Sequence, residues 1–280
     1  MSQQIPVNPS AVAAENEAAN DGTHEVLPDL AYQRLAVSNL AFVGPRGAGD
    51  GGWVLVDAGV IGSAKLIEAA AATRFGEGAR PAAIVMTHGH FDHFGALEAL
   101  VEKWRVPVWV HPLEAPYFNG TASYPPPDAG VGGGLMTLLS PLYPRGPVNV
   151  SEFLHILPAD GSVPPLPGWT WLHTPGHTPG HVSFWRGGDK TLLAGDAFIT
   201  TAQESAYSVA TQKPEMHGPP RYFTPDWISA RRSVEKLAAL EPKLVITGHG
   251  RAMAGPEMLD ALHQLADHFD TIAVPKRGAT

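Results

Sequence analysis

Short apolar runs separated by polar and glycine-rich segments recur along the chain, and their lengths predict strands. In the first half they lie at residues 35–43, 53–56, 82–86 and 106–110. Longer stretches rich in Ala, Leu and Glu predict helices at 63–75, with Ser63 as the cap and Gly76 at the end, and at about 94–104. Strands that alternate with helices in this way indicate a mixed α/β fold.

The second half continues the same mixture of strands and helices. Strands are predicted at 169–172, 182–185, 191–194 and 243–247, and helices at 225–240 and 256–269. Thr224 precedes the first of these helices and is its expected cap. A long loop occupies residues 197–225.

Residues 112–167 interrupt this rhythm with an insertion rich in proline and glycine. It holds three consecutive prolines at 125–127 and three glycines at 132–134. A connection of this length is rare in a compact domain unless it is functional or disordered, and its shortage of charge argues against disorder. We expect either a lid over a site or a dimer contact. The apolar run 135–139 should be covered, by packing over the pocket or by a second subunit.

Composition narrows the classes of function. The 280-residue chain is 44% hydrophobic, which suffices for a substantial core. With a net charge of −8 and 19 Lys and Arg residues it offers no basic stripe, so nucleic acid is not an expected partner. The absence of cysteine excludes disulfides and thiolate ligands. No apolar run is long enough to span a bilayer, so a membrane is not an expected partner either.

The domain organisation follows from the same observations. We expect a flexible N-terminal arm over residues 1–25 and a single domain over 26–280, with 112–167 as its insertion. Because the first 22 residues lack the basic and apolar regions of a secretory signal, we expect a cytoplasmic protein. The expected partner is a small-molecule substrate, and the insertion could join two copies into a homodimer.

The strongest chemical signal directly follows the predicted strand 82–86. Four metal-capable side chains lie within six residues there: His88, His90, Asp92 and His93. Imidazole nitrogens and carboxylate oxygens are ligands that Zn²⁺ and similar metals accept. Alternation along the chain places His88 and His90 on one side, whereas Asp92 and His93 point elsewhere and suit a second metal.

Three further predicted strands also end in metal-capable residues. Strand 169–172 leads to His177, strand 191–194 to Asp196, and strand 243–247 to His249. Because catalytic loops gather at one edge of a rigid sheet, we expect all four strand ends to converge on one site.

In order and separation, these residues resemble the motifs of the metallo-β-lactamase superfamily. The segment Val56-Asp57-Ala58-Gly59 is similar to the family's early strand-end motif, and residues 174–181 are similar to its third motif. The resemblance covers about residues 30–269. It implies an αββα sandwich, in which two mixed sheets lie face to face with helices outside and the site at one sheet edge.

The resemblance also implies a site for two divalent metal ions. It assigns the first ion to His88, His90 and His177, the second to Asp92, His93 and His249, and the bridging position to Asp196. Among these ligands, Asp92, Asp196 and His249 are the expected catalytic residues. Asp57 should orient a ligand histidine, and His181 should lie behind the ligands or in the core. Zn²⁺ is the default ion, although Fe²⁺, Mn²⁺ and Co²⁺ also suit such ligands.

The reaction that the resemblance implies is hydrolysis at a carbonyl group. Two cations about 3.5–4 Å apart hold a hydroxide at neutral pH and stabilise the oxyanion that forms when it attacks a lactone, a carboxylic ester or a thioester. β-Lactam hydrolysis is a lesser alternative, because the related β-lactamases lack the bridging carboxylate that Asp196 supplies.

Two other classes stay open. The family's persulfide dioxygenases use one iron held by the equivalents of His88, His177 and Asp196, so an oxidoreductase is an alternative. A metal-binding scaffold without activity is another. Among the remaining residues, His111 could line the pocket, and tyrosines on the two long loops could donate to a substrate carbonyl: Tyr124, Tyr143, Tyr207 and Tyr222.

Overall fold

The computed structural model describes residues 5–13, 22–131, 135–203, 205–211 and 213–275. The chain divides into two compact units, each named here after its sheet. The seven-stranded unit comprises Ala14–Tyr124 and Arg145–Trp169, and the five-stranded unit comprises Met1–Ala13, Pro125–Pro144 and Thr170–Thr280. The predicted insertion 112–167 is therefore shared between the two units.

The strands within the described residues are β1 (Ile5–Pro6), β2 (His24–Leu27), β3 (Leu30–Leu35), β4 (Ser38–Val43), β5 (Val54–Val56), β6 (Ala83–Val85), β7 (Val108–Val110), β8 (Leu154–Ile156), β9 (Trp169–His173), β10 (Val182–Arg186), β11 (Thr191–Gly195), β12 (Glu215–Met216), β13 (Leu244–Thr247) and β14 (Met253–Ala254).

The α-helices within the same residues are α1 (Ala64–Phe75), α2 (Phe91–Phe94), α3 (Leu97–Trp104), α4 (Ala115–Phe118), α5 (Leu135–Leu139), α6 (Ala206–Thr211), α7 (Trp227–Ala238), α8 (Pro256–Asp267) and α9 (Phe269–Ile272). Short 3₁₀ turns lie at Pro9–Ala11, Ala129–Val131, Ser140–Leu142, Ser151–Phe153 and Arg221–Phe223.

The seven-stranded sheet has the order β2-β3-β4-β5-β6-β7-β8. Neighbours from β2 to β5 are antiparallel, and those from β5 to β8 are parallel. Parallel neighbours need crossover connections, which α1 supplies between β5 and β6 and α3 between β6 and β7. Every residue of β5 and β6 is buried, as is typical of strands covered on both faces.

The core of this unit lies between its sheet and the helices α1 and α3. Ile67 of α1 and Leu100 of α3 are completely buried in it. The ring of Trp53 stacks on Phe75 with centroids 4.3 Å apart and meets Trp104 edge-on at 5.7 Å. These aromatic contacts add directional packing to the apolar burial, so the loops that follow β5 and β6 start from a rigid base.

The five-stranded sheet has the order β14-β13-β11-β10-β9, with β11 parallel to β13. Its core is formed with α7 and α8, whose buried side chains include Val234, Leu237 and Leu262. The register of β11 against β13 shifts between Leu193 and Gly195. Such a bulge redirects the residues that follow it, here the end of β11.

The predicted strands of both halves form, with one exception. Residues 35–43 were expected as a single strand, but they contain a hairpin turn in which Leu35 of β3 pairs with Ser38 of β4. Ala36 takes the left-handed conformation in this turn, with φ 57°. The prediction was wrong because no Gly, Asn or Asp marks the turn and both strands are buried.

Two of the predicted helix caps need correction, while Gly76 ends α1 as predicted. Ser63 precedes α1, but its hydroxyl donates to the carbonyl of Val60 and does not cap the helix. The residue that caps α7 is Asp226, whose carboxylate accepts from the backbone N–H of Ser229 at 3.0 Å. Thr224, the expected cap, makes other contacts.

The N-terminal residues and the insertion contain contacts and strands that the sequence did not predict. Within the expected arm, Ile5 pairs with Met216 of β12, and Val12 bridges to Met253. Residues 1–4 and 14–21 of that arm lie outside the described residues, as do the glycines at 132–134. Within the insertion, β8 adds a parallel strand beside β7 that the sequence did not predict.

The leucines of the apolar run 135–139 are exposed, whereas Thr137 within it is buried. Leu138 is 70% exposed, and the nearby Leu142 is 79% exposed. The expectation that the run packs over a pocket is therefore wrong for Leu135 and Leu138, and cover by a second subunit stays a prediction. In the described part of the chain, no helix has the length and hydropathy needed to cross a membrane.

Candidate metal centre

The histidine-rich loop of the seven-stranded unit begins where β6 ends. His88 and His90 lie on the loop, and Asp92 and His93 lie on α2; all four are buried. The ring centroids of His88 and His90 are 4.8 Å apart, and those of His88 and His93 are 4.3 Å apart. Each of the four belongs to a group of side chains that could hold a metal ion.

Asp57 at the end of β5 supports this loop from behind. It takes the left-handed conformation, with φ 64°, and its carboxylate is buried. Oδ1 accepts the backbone N–H of Thr87 at 2.8 Å, and Oδ2 accepts Nδ1–H of His93 at 2.9 Å. The same carboxylate accepts the hydroxyl of Thr87 at 2.8 Å.

This arrangement determines which ring nitrogens of His88 and His93 carry protons. The Thr87 hydroxyl has one proton, and the Asp57 carboxylate is its strongest acceptor. Thr87 Oγ1 therefore accepts from Nδ1 of His88, which lies 3.0 Å away. With Nδ1 protonated on both His88 and His93, the lone pair of each neutral imidazole is on Nε2.

A second buried group lies behind the loop at Gly89. The backbone N–H of Gly89 is 3.0 Å from Oε2 of Glu114 and 3.0 Å from the hydroxyl of Tyr124, which donates to the same carboxylate. Burial first, and the charge of Glu114 second, hold the pKa of Tyr124 well above its ordinary value, so its hydroxyl keeps its proton.

The sequence indicated Tyr124 as a candidate substrate contact but gave no sign of Glu114. A lone Glu shortly after a strand carries no motif signal. Its role becomes visible only when the fold brings residues 89, 114 and 124 together, so sequence spacing could not have found it.

In the five-stranded unit, Asp196 lies between two histidines. Its Oδ2 is 3.3 Å from Nε2 of His177 and 3.1 Å from Nε2 of His249, and all three side chains are buried. Asp196 follows the bulged end of β11 and His249 follows β13, its parallel neighbour. Each of the three also belongs to a group that could hold a metal ion.

The proton of His177 can be located in the same way. The hydroxyl of Thr224 donates to the carbonyl of Pro220 at 2.7 Å, so its oxygen accepts Nδ1–H of His177 at 3.1 Å. The Nε2 lone pair of His177 then faces the carboxylate of Asp196. Two electron-rich atoms at this distance are stabilised by a cation between them or by an extra proton on the imidazole.

His181 has a different role from the ligands assigned by sequence. Its Nε2 accepts the backbone N–H of Asp196 at 2.9 Å, and its Nδ1 donates to Thr174, whose Oγ1 is 2.8 Å away. Both ring nitrogens are thus engaged within the fold, and His181 holds the backbone at Asp196.

The remaining candidates differ in their surroundings. His111 is buried after β7, and its Nδ1 accepts the backbone N–H of Leu113 at 3.3 Å. Tyr222 is buried and its ring packs 6.2 Å from that of Tyr143, whereas Tyr207 is exposed. Tyr143 and Tyr222 form an aromatic cluster with Phe223, the residue that directly precedes Thr224 in sequence.

The donor set of both clusters fits a divalent metal of borderline character. It consists of imidazole nitrogens and carboxylate oxygens, with no thiolate, and three of its histidines, His88, His93 and His177, have an oxygen acceptor at Nδ1. Such outer acceptors are typical of metal-ligating histidines in proteins. The sequence-assigned roles of these residues remain predictions.

The chain is similar to proteins of one family throughout most of its length. The family model described as "Metallo-beta-lactamase superfamily" matches residues 37–249. The "Probable metallo-hydrolase YflN" of Bacillus subtilis strain 168 is 49% identical over 220 residues, which are 79% of this chain and 83% of the relative. The "Probable metallo-hydrolase YybB" of the same organism is 31% identical over 64% of this chain and 69% of its own length.

Solved structures give the same result for the fold. The di-iron-bound form of TTHA1623 aligns with a TM-score of 0.53 at 26% identity, covering 82% of this chain and 95% of that one. A beta-lactamase domain protein from Burkholderia ambifaria aligns with a TM-score of 0.62 at 20% identity, covering 95% and 80%. The predicted fold class, mixed sheets with flanking helices, is confirmed.

Proposed function

The chain belongs to the metallo-beta-lactamase superfamily, and on that premise we propose that it is a metal-dependent hydrolase of a lactone, a carboxylic ester or a thioester. The family match and the relatives named as probable metallo-hydrolases support the hydrolase class. The identity of the cleaved bond is the finer part of the proposal.

The observation that carries the proposal is the hydrogen-bond arrangement at Nδ1 of three buried histidines. His88, His93 and His177 each donate Nδ1–H to an oxygen acceptor and keep their lone pair on Nε2. This is the form in which an imidazole binds a metal ion. Three histidines oriented in this way, His88 and His93 through Asp57 and His177 through Thr224, favour a metal site over three unrelated core histidines.

We propose that two divalent ions are bound by the side chains that the family resemblance assigns. These are His88, His90, Asp92, His93, His177, Asp196 and His249. Zn²⁺ is the proposed ion, because histidine and aspartate ligands suit it. Iron is the alternative, since the solved relative TTHA1623 is described in a di-iron-bound form.

The residues of the chain would contribute orientation and charge to the reaction. When bound, two such ions supply a hydroxide at neutral pH and polarise the substrate carbonyl. Asp196, 3.1–3.3 Å from two imidazoles, would offset part of the ionic charge. Asp57 and Thr224 hold His93 and His177 in fixed orientations, so the ligand geometry is preorganised.

The proposed substrate class rests on the character of the segment Pro125–Pro144. Asp128 is its single charged residue, and the ring of Tyr143 in it packs near Tyr222, two positions before Thr224. An apolar segment tied to the loop that supports His177 favours an uncharged substrate or one that carries an acyl chain. β-Lactams stay a lesser alternative, since the solved BLEG-1 β-lactamase is only 22% identical and its likeness concerns the fold.

Acid release by the metal-loaded protein tests the proposal. Lactones, carboxylic esters, thioesters and β-lactams are supplied in turn, and a pH-stat records the acid that hydrolysis liberates. We expect turnover with lactones or esters. Silence with all four classes, together with oxygen uptake on a persulfide, would contradict the hydrolase and favour the mono-iron dioxygenase.

Replacement of the shared carboxylate tests the site in the same assay. Asp196→Asn should lower turnover by about two orders of magnitude or more, because it removes the charge that faces His177 and His249. Asp189→Asn is the matched control, since Asp189 pairs with Arg186 in the hairpin of β10 and β11. Equal turnover of the Asp196 variant and the control would refute the assignment.

A further inference from the structure

We infer that Glu114 and Tyr124 are positioning residues that hold the His88-Gly89-His90 backbone in the geometry needed for metal binding. The inference rests on the proposed metal site but adds residues that no ligand motif contains. Its starting point is Gly89, the residue between two proposed ligands, whose N–H points at both side chains.

Glu114 is placed to act as a fixed anchor for this N–H. The backbone N–H groups of Glu114 and Ala115 both donate to the carbonyl of His111, at 2.9 and 3.2 Å, which ties the start of α4 to the end of β7. The Glu114 side chain is 1% exposed. A buried carboxylate that accepts an amide N–H and a phenol hydroxyl at one oxygen forms strong, charge-assisted hydrogen bonds.

Tyr124 acts on the backbone and on a ligand ring at once. Its hydroxyl lies 3.0 Å from the N of Gly89, and its ring centroid is 4.6 Å from that of His90. The phenol ring is also stacked on Tyr117, with centroids 3.8 Å apart. Tyr124 is therefore held by a second aromatic ring while it contacts His90.

The close fit explains why residue 89 is glycine. A Cβ at this position would lie 2.9 Å from Cε2 of Phe118 and 3.1 Å from the Tyr124 hydroxyl. Any larger side chain would displace the loop from Glu114 and Tyr124. The contacts of Glu114 and Tyr124 with the loop therefore require glycine between the two histidines.

Metal affinity of three variants tests this inference without relying on activity. Glu114→Gln replaces the carboxylate with an amide of equal size, and Tyr124→Phe removes only the hydroxyl while it keeps the ring. Glu102→Gln is the control, since Glu102 is exposed on α3 of the same unit. Zn²⁺ and Co²⁺ affinities are measured by competition with a chromophoric chelator, and Co²⁺ spectra report the ligand geometry.

We expect Glu114→Gln and Tyr124→Phe each to weaken binding by about 10-fold or more and to alter the Co²⁺ absorption bands, with Glu102→Gln unchanged. In the double variant the losses should be less than multiplicative, because both side chains act on one N–H. Wild-type affinities and spectra in both variants would overturn the inference. If Glu114→Gln fails to fold, Tyr124→Phe decides alone.

The outcomes separate this inference from the proposed function. A wild-type protein that binds metal but hydrolyses nothing refutes the proposed function, while the variant affinities still decide the role of Glu114 and Tyr124. Unchanged affinities in a protein that does hydrolyse esters refute only the positioning role. A wild-type protein that binds neither Zn²⁺ nor Co²⁺ refutes both.

Discussion

Single residues behind the proposed ligands orient the rings of those ligands through hydrogen bonds. Asp57 is the clearest example, because its carboxylate fixes both the proton of the Thr87 hydroxyl and the ring of His93. Through Thr87 it also fixes the proton of His88. Its left-handed backbone, φ 64°, costs free energy that the surrounding hydrogen bonds offset.

Asp57→Asn should impair the support of His93 and Thr87 while the fold stays intact. Asn tolerates the left-handed conformation, so the turn after β5 should form as before. One side-chain oxygen becomes an amide NH₂, which only donates, so the side chain can no longer accept from both the Thr87 backbone N–H and Nδ1–H of His93. We expect metal affinity, measured by chelator competition, to fall about 10–100-fold.

Asp50→Asn is the matched comparison for that experiment. Asp50 lies in the same unit, and its exposed carboxylate pairs with Arg80 at 2.9 Å. Its substitution should leave metal affinity unchanged. If the Asp57 and Asp50 variants bind metal equally well, Asp57 does not support the ligands.

Among the secondary-structure elements, the segment before α7 shows how one short stretch supports two functions. Asp226 caps the helix through the backbone N–H of Ser229, while Thr224 accepts from His177. The two side chains are two positions apart in sequence but act on different parts of the molecule. Stability and metal binding should therefore be separable here.

Asp226→Ala should destabilise the fold by about 1 kcal/mol and leave metal affinity unchanged, because it removes only the cap. The hydrogen bond to the backbone N–H of Ser229 is the main cause that lowers the pKa of Asp226. A lowered pKa in the folded state stabilises the fold above the ordinary aspartate pKa of about 4. The difference in unfolding free energy between wild type and variant should thus shrink as pH falls below that value.

Thr224→Val should weaken metal binding, which Asp226→Ala should leave unchanged. The β-branched shape is kept, but the acceptor for Nδ1–H of His177 is lost. Metal affinity should fall about 10-fold or more. Because Thr224 and His177 are buried, the lost hydrogen bond should also destabilise the metal-free protein. Denaturant unfolding and chelator competition on both variants check the pair. Identical effects of the two substitutions would show that the segment acts as one structural unit.

These elements also show what the sequence could predict. Apolar runs such as 82–86 and 191–194 predicted β6 and β11, since a buried strand needs a continuous apolar stretch. The hairpin at Ala36 was missed because its turn has no residue that marks it. β8 was missed because its side chains are partly exposed and lie in a proline-rich segment.

At the proposed site, the placement of the imidazoles and carboxylates after strand ends could be predicted, because these side chains directly follow apolar runs in the sequence. Supporting residues such as Glu114 and Thr224 could not, since each is an ordinary polar residue until folding brings it to a particular N–H or ring nitrogen. Hydrogen-bond partners distant in sequence have no local pattern.

For the molecule as a whole, metal binding is the property on which the proposed function depends. Each compact unit contains its own cluster of buried proposed ligands: the histidine-rich loop in one, and the histidines around Asp196 in the other. Binding of a cation to buried imidazoles and carboxylates of this kind lowers the free energy of the folded state. Metal should therefore also raise the thermal stability of the chain.

Turnover measured against bound metal tests the central claim most directly. The metal-free protein receives Zn²⁺ in steps, and hydrolysis of the best substrate from the acid-release panel is followed with the number of ions bound. We predict negligible turnover without metal and a maximum at two ions per chain. Full turnover in the metal-free protein, or two bound ions with no hydrolysis of any panel substrate, would contradict the two-metal hydrolase.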